Sequence, residues 1–205
     1  MVIKAKSGKG NKIHVSADEE YIFTVDADFW FTQGISTGDE ISEEELEALK
    51  NAASFRRAYN KALDLISRRD YCERELFARL CRNFEPPAAE RAVERVLELG
   101  FIDDDKYAQK LATELFEKKM FSPFRIRSEL IRRGVSKDSA DNVCEGLDID
   151  FKERIIEILN RKFERQLSTP QGKKRAFNSL VRMGYGFSDI RSAMRELNID
   201  LTDTY

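Results

Sequence analysis

Three cysteines, four prolines, one tryptophan and one histidine in 205 residues put several kinds of protein out of reach. Cys72, Cys81 and Cys144 form no C-x-x-C pair, and with His14 as the sole histidine no ligand set has zinc spacing. The expectation is no metal and no cofactor. A Ser-His-Asp triad would have to be built on His14, in a β-like stretch near the N-terminus, and nothing around it supports that chemistry. Carboxylates are abundant, yet no pair stands apart in an apolar setting, so glycosidase-type catalysis has no basis. Ser7-Gly8-Lys9-Gly10-Asn11-Lys12 lacks the spacing of a phosphate-binding P-loop and no helical pattern follows it. No run of about 18 apolar residues occurs, which excludes a helical membrane span. The lysines of residues 1–10 have no apolar stretch behind them, so a secretory signal is not expected. Thiols scattered through helical patterns fit a reducing cytoplasm. The reading is a cytoplasmic, monomeric protein that is not an enzyme.

What is present is charge and repetition. Charged residues make up 35% of the chain, more than an average globular domain, so much of it is solvated helix surface. The net charge of −2 hides an uneven split: residues 1–50 carry five Lys/Arg against eleven Asp/Glu, and the remainder thirty against twenty-six. An acidic head precedes a mildly basic body.

Shifted by fifty residues, the body lines up with itself without a gap. Leu80, Leu130 and Leu180 coincide, as do Arg82, Arg132 and Arg182 and the apolar residues between them. Ala58 matches Ala108, Ala62 matches Ala112, Leu65 matches Leu115 and Val93 matches Val143. A fixed period of this length marks one supersecondary unit used in series. Apolar residues spaced i, i+3/i+4, i+7 give three amphipathic helices per unit, nine in all. Ser122-Pro123 is a strong helix start, Cys72 a weak one, and Gly172 occupies the third equivalent position. Gly100, Gly134 and Gly184 fall where helices end. Asp103, Asp104 and Asp105 read as the acidic start of a helix rather than a cation site.

Residues 1–53 differ. Lys12–Val15 and Tyr21–Val25 alternate as short strands of a hairpin with a longer loop. Phe29-Trp30-Phe31 is an aromatic knot in need of a packing surface. Ser42 and Glu45 form a capping box, with Ile41 and Leu46 as a hydrophobic staple, opening a short acidic helix near Glu43 that is free to run on toward the first repeat. The fold class is therefore mainly α: a tandem repeat of three three-helix units forming an elongated, curved body, with a small β-hairpin-containing N-terminal module. The divisions fall at 1–53, 54–102, 103–149 and 150–205.

Basic clusters carry the functional signal. Lys118, Lys119, Arg125, Arg127, Arg132, Arg133 and Lys137 face only Glu129 as a local acid, and Lys173, Lys174 and Arg175 open the equivalent helix of the third unit, Arg175 falling fifty residues after Arg125. A solvated helix face is the ordinary meaning of such a run. Here the density of cations and their partial recurrence favour a surface for phosphates or for an acidic protein groove. The nine candidate contact residues are Lys118, Lys119, Arg125, Arg127, Arg132, Arg133, Lys173, Lys174 and Arg175. The recurring Arg82, Arg132 and Arg182 sit near helix C-termini, where compensation of the helix dipole suffices as a reason.

Several segments together resemble the RecX family. They are Ala62-Leu63 through Arg68-Arg69 with Glu75-Leu76 and Leu80; Gly100-Phe101-Ile102-Asp103-Asp104 with Tyr107-Ala108; Arg125-Ile126, Glu129-Leu130 and Arg133-Gly134-Val135; and Gly38-Asp39-Glu40-Ile41 before the acidic helix. Departures are Phe121-Ser122-Pro123-Phe124 in place of a glycine before the central helix, and Cys72 in place of a serine cap. The resemblance implies a regulator that lodges in the RecA recombinase filament on DNA and inhibits ATP hydrolysis, strand exchange and co-protease activity. That places it in DNA repair, recombination and the SOS response. A helical DNA-binding module is the alternative, and weak DNA contact the accessory expectation.

Overall fold

The computed structural model describes residues 1–147 and 149–199; Asp148 and the last six residues, which belong to the 150–205 division, lie outside the described residues. The chain forms two compact units, Met1–Asp103 and Asp104–Tyr205. In each, the elements follow from local sequence signals.

The first unit opens with an antiparallel sheet of three strands, β1 Ile3–Ser7, β2 Lys12–Ala17 and β3 Glu20–Asp26, in the order β1-β2-β3. The expected hairpin is β2–β3, and β1 is additional. Its turn is shorter than the sequence suggests: Asp18 and Glu19 alone connect the strands, both with positive φ. Two left-handed residues match the twist of a hairpin, which is why a two-residue turn wins over a longer loop. Val2 N–H donates to the Asp18 carboxylate at 2.8 Å and Lys4 pairs with Glu19 at 2.6 Å, so β1 holds the turn. The open edge of β1 is covered by residues 36–40, through Gly38 N–H to Ile3 O at 2.8 Å and Ile3 N–H to Asp39 O at 3.0 Å.

Of the aromatic knot, on the short helix α1 Ala27–Phe31, only Trp30 is buried, and Phe31 is exposed. The acidic helix α2, Glu43–Ile66, runs on into the first repeat, unbroken past residue 53. Both halves of its capping box form, and Ile41 and Leu46 are buried in one cluster. Leu46, Leu49 and Ala53 close the sheet core, while Ala58, Ala62 and Leu65 enter a second core with α3 Glu73–Leu80 and α4 Pro86–Glu98. Ala58, Ala62, Ala89 and Ala92 are buried there, and their small side chains let α2 and α4 approach closely. Cys72 is the N-cap of α3 and makes no side-chain capping bond. Helix α3 stops at Leu80, so Arg82 lies beyond its end. Phe84 stands where the later copies have Gly134 and Gly184, and without a left-handed residue the chain closes by Phe84 N–H to Leu80 O at 3.1 Å.

The second unit contains α5 Asp104–Glu117, α6 Pro123–Arg132 and α7 Lys137–Glu145, then α8 Phe151–Ile158, α9 Pro170–Arg182 and α10 Phe187–Glu196. Nine α-helices thus follow α1 among the described residues, the first of them shared between the N-terminal module and the first repeat. Leu80, Leu130 and Leu180 are each wholly buried, the structural meaning of the repeat. Gly134 and Gly184 have positive φ, and each is followed by the backbone bond that completes a Schellman end: Val135 N–H to Leu130 O and Tyr185 N–H to Leu180 O, both at 3.1 Å. The third copy departs from the sequence reading at its second helix. Thr169 is the N-cap and Pro170 the first residue of α9, so Gly172 lies inside the helix. Thr-Pro is the stronger start, and it moves the helix forward by one turn. Helix α8 continues into a π-helical turn, Leu159–Phe163, and a 3-10 turn, Glu164–Gln166. No helix among the described residues is long and apolar enough to cross a membrane.

Candidate interaction surface

The segment between α5 and α6 is fixed from the third helical copy. Met120 is buried with a left-handed φ of 60°, unusual for a side chain of its size, and the Tyr185 hydroxyl donates to its carbonyl at 3.1 Å. Burial raises the Tyr185 phenol above its ordinary range, which keeps it a donor. Ser122 N–H bonds to Met183 O at 2.9 Å and Ser122 Oγ to Gly184 O at 2.7 Å. Arg154, nearly buried on α8, donates to Phe116 O at 2.9 Å with its guanidinium 4.6 Å from the Phe116 ring centroid. The start of α6 therefore has a determined position against α8 and the turn after α9.

On this frame the nine sequence-derived residues separate into two groups. Arg127 forms a two-point ion pair with Asp141 on α7, its Nη2 lying 3.0 Å from Oδ2. The pair's hydrogen bond raises the Arg127 pKa and holds Asp141 below the usual carboxylate range. Arg132 and Arg133 both bind Glu129, with Arg132 Nε at 3.0 Å, and Arg133 also lies against the Tyr107 hydroxyl. Glu129 is buried, and its bond to Arg132 is the largest effect lowering its pKa. Arg127 and Arg133 are thereby tied to the neighbouring helices α7 and α5, while Arg132, largely exposed, is held only by Glu129 of its own helix. Lys118, exposed, stands 3.7 Å from Glu114.

The second group is open. Lys119, Arg125, Lys174 and Arg175 are exposed and make no ion pair among the described residues; Lys173 is half-buried. Arg125 lies 5.7 Å from the Phe121 ring centroid, and its neighbour Phe124 has 73% of its surface exposed. Gly184 presses on Arg125: a Cβ there would stand 2.6 Å from the arginine Cβ. So Arg125 projects from a braced backbone.

The electrostatics single out the starts of α6 and α9. The first turns of α2, α3, α5, α7, α8 and α10 carry Asp or Glu, as the helix dipole favours; those of α4, α6 and α9 carry none, but α4 has an acid, Glu85, as its N-cap, whereas α6 and α9 are capped by Ser122 and Thr169. Instead Arg125 and Arg127 open α6, and Lys173, Lys174 and Arg175 follow the first turn of α9. A cation near a helix N-terminus forgoes about 0.3–1 kcal/mol that an acid there supplies. Helix stability does not explain these residues.

Two contributors escape the sequence reading. Arg161 and Lys162 lie on the π-helical turn, and the Lys162 pKa is lowered first by burial and then by Arg161, Arg154 and Lys119. The cations after α5 and those after α8 thus share one field. A spacing of seven to eight residues from Arg154 to Arg161 and Lys162 was the available signal, because it places all three on one helix face.

Comparison with known proteins agrees with this architecture. Residues 58–95 match the family model of the RecX first three-helix domain, and residues 103–143 match that of the second. Regulatory protein RecX of Caldanaerobacter subterraneus subsp. tengcongensis is 30% identical over 190 residues, covering 92% of this chain and 95% of the relative. That of Clostridium botulinum is 26% identical over 211 residues, covering 98% and 99%. Among solved structures, a crystal structure of regulatory protein RecX superposes with a TM-score of 0.66 at 19% identity, covering 95% of this chain and 98% of that one. RecX from Lactobacillus salivarius gives 0.58 at 17% identity, over 73% and 99%. These two likenesses concern the fold.

Proposed function

The chain belongs to the RecX family, and from that premise we propose that it is a regulator of the RecA recombinase that binds the RecA–DNA filament and inhibits its ATP hydrolysis, strand exchange and co-protease action. The observation that carries the reading is the pair of acid-free, cation-bearing helix starts at α6 and α9. Arg125 supplies the central contact, with Lys119, Lys174 and Arg175 extending it; Arg127, Arg132 and Arg133 hold the surface in shape.

Two such helix starts on one compact unit engage a repeating partner at two points. The second contact then forms at the effective concentration set by the first, so modest individual contacts add to high avidity. Binding of this kind opposes the subunit movements of ATP turnover only if it favours one filament state over another. No chemical step is asked of the protein.

The test is DNA-dependent ATP hydrolysis by the cognate RecA at fixed salt, titrated with the full chain and with Arg125→Glu. Inhibition well below stoichiometric protein, retained in excess DNA and weakened by Arg125→Glu, is the expected result. Inhibition that vanishes in excess DNA favours the second reading, a helical DNA-binding module whose cations compete for the same phosphates. Full inhibition by Arg125→Glu removes the proposed contact.

A further inference from the structure

The N-terminal sheet has two faces of opposite chemistry. Ile3, Ile13, Val15, Phe23 and Val25 are buried on the inner one. Strand pairing sets Lys4, Ser16 and Tyr21 in one outward row and Lys6, His14 and Thr24 in the next, with Lys12 beyond them on β2. Lys4, Lys6, Lys12, His14 and Tyr21 are all exposed. Lys9 stands in the turn between β1 and β2, where Gly10 has positive φ. Of the acids that make residues 1–50 negative, Glu43, Glu44 and Glu45 open α2 and Asp26 is turned toward Arg56 and Asn60 of α2, while Glu19, exposed at the β2–β3 turn, borders the outward face and is paired with Lys4. An acidic head by composition has a basic outer sheet face by structure.

A β-bulge decides what stands among those lysines. Val15 pairs with Phe23 but Ser16 with Tyr21, so Ile22 is an extra residue in β3. Uninterrupted alternation from Val25 and Phe23 would turn Tyr21 into the core. The bulge turns it outward, where 60% of its surface is exposed. Its hydroxyl is 3.0 Å from Thr24 Oγ1, which in turn lies 2.6 Å from His14 Nδ1. The His14 ring lies across Gly8, where a Cβ would come within 2.4 Å of Nε2. Tyr21 is thus a pre-ordered aromatic platform bordered by cations.

We propose that this outward sheet face binds single-stranded nucleic acid, with Tyr21 stacking on a base and Lys6, Lys9 and Lys12 meeting the phosphates. An exposed ring beside a line of cations is the arrangement that holds unpaired strands without regard to sequence. An acidic protein surface would use the lysines but gives no use for a bulge that exposes an aromatic ring. The Gly-Lys-rich Ser7–Lys12 segment, which fails as a P-loop, has its use here as a narrow turn presenting Lys9. The site is independent of the helix starts at α6 and α9.

The experiment is fluorescence anisotropy of labelled oligothymidylate with the full chain across a salt series. Arg125→Gln is run in parallel to separate the helical surface. Tyr21→Ala weakens binding about ten-fold or more. Lys6→Gln with Lys12→Gln lowers the slope of log K against log salt by about 1.4. Tyr21→Trp keeps the affinity, and its indole emission is quenched by oligothymidylate, a signal that a merely structural tyrosine does not give. Wild-type affinity and slope in both weakened variants overturn the proposal, as does absence of oligothymidylate binding by the wild type. Filament binding lost in those variants with oligothymidylate binding intact also overturns it, in favour of an acidic protein partner. RecA ATP hydrolysis is read separately, so failure of the regulatory reading and failure of this one are distinguishable.

Discussion

Ser122 Oγ donates to the Gly184 carbonyl at 2.7 Å while accepting the Arg125 N–H at 3.3 Å. One hydroxyl starts α6 and fastens it to the turn after α9. Ser122→Ala loses both bonds and leaves the half-buried Gly184 carbonyl without that donor, at a cost of about 1.5–3 kcal/mol. Ser136→Ala on α7 removes an exposed cap, whose Oγ accepts Ser139 N–H at 3.0 Å, and costs about 1 kcal/mol. Urea titrations of the two variants check the difference; equal losses would mean that the Gly184 bond contributes nothing.

Gly172 illustrates a glycine kept for contact rather than for φ. A Cβ there would stand 1.7 Å from the Gln166 carbonyl oxygen, which belongs to the backbone and cannot step aside. Alanine normally stabilises a helix by about 1 kcal/mol over glycine. Gly172→Ala is expected to do the reverse, destabilising by about 3 kcal/mol or more as α9 and the 3-10 turn are pushed apart. Thermal melting decides the sign directly.

Arg127 and Asp141 are paired with each other, and the proposed contact set accordingly assigns the pair to the fold. Arg127→Gln and Asp141→Asn each lower stability, and the double variant loses less than the two losses added, since neither leaves a lone charge. Inhibition of RecA by Arg127→Gln remains close to wild type where protein is fully folded. A variant that melts normally and has lost inhibition would return Arg127 to the contact set.

Glu129 gives a pH dependence. Its folded pKa is depressed below the ordinary 4.5, chiefly by the bond from Arg132. A depressed carboxylate contributes stability that is fully present above 4.5 and is lost as pH falls from there through the folded value. Glu129→Gln removes that increment, so wild type and variant differ most at neutral pH and converge in acid. Denaturant midpoints measured at successively lower pH check this; a constant gap contradicts it.

The helical repeat was legible because Leu80, Leu130 and Leu180 occupy one buried position in three copies, and burial is what period records. Capping chemistry was legible for the same local reason at Ser42, Ser122 and Gly134. The start of α9 was not, because alignment to Ser122 drew attention to Gly172 and away from Thr169-Pro170. Strand β1 was hidden since only Ile3 of its five residues is buried, and the bulge at Ile22 has no local signature. Of the basic residues, composition identified the cluster but could not sort it. Asp141, the partner of Arg127, is fourteen residues away and one helix on. Glu129 binds two arginines at once, a sharing of geometry that a count of charges does not register.

Helix α2 is one piece of 24 residues, about 36 Å of continuous hydrogen-bonded rod, with sheet packed on its first half and helices on its second. Two hydrophobic cores strung on one rod have no joint between them. Torque applied at the sheet reaches α3 and α4 without slack, and a protease finds no linker to cut at residue 53. The sheet is therefore a handle on the first helical core, and whatever grips it also grips the helices beyond.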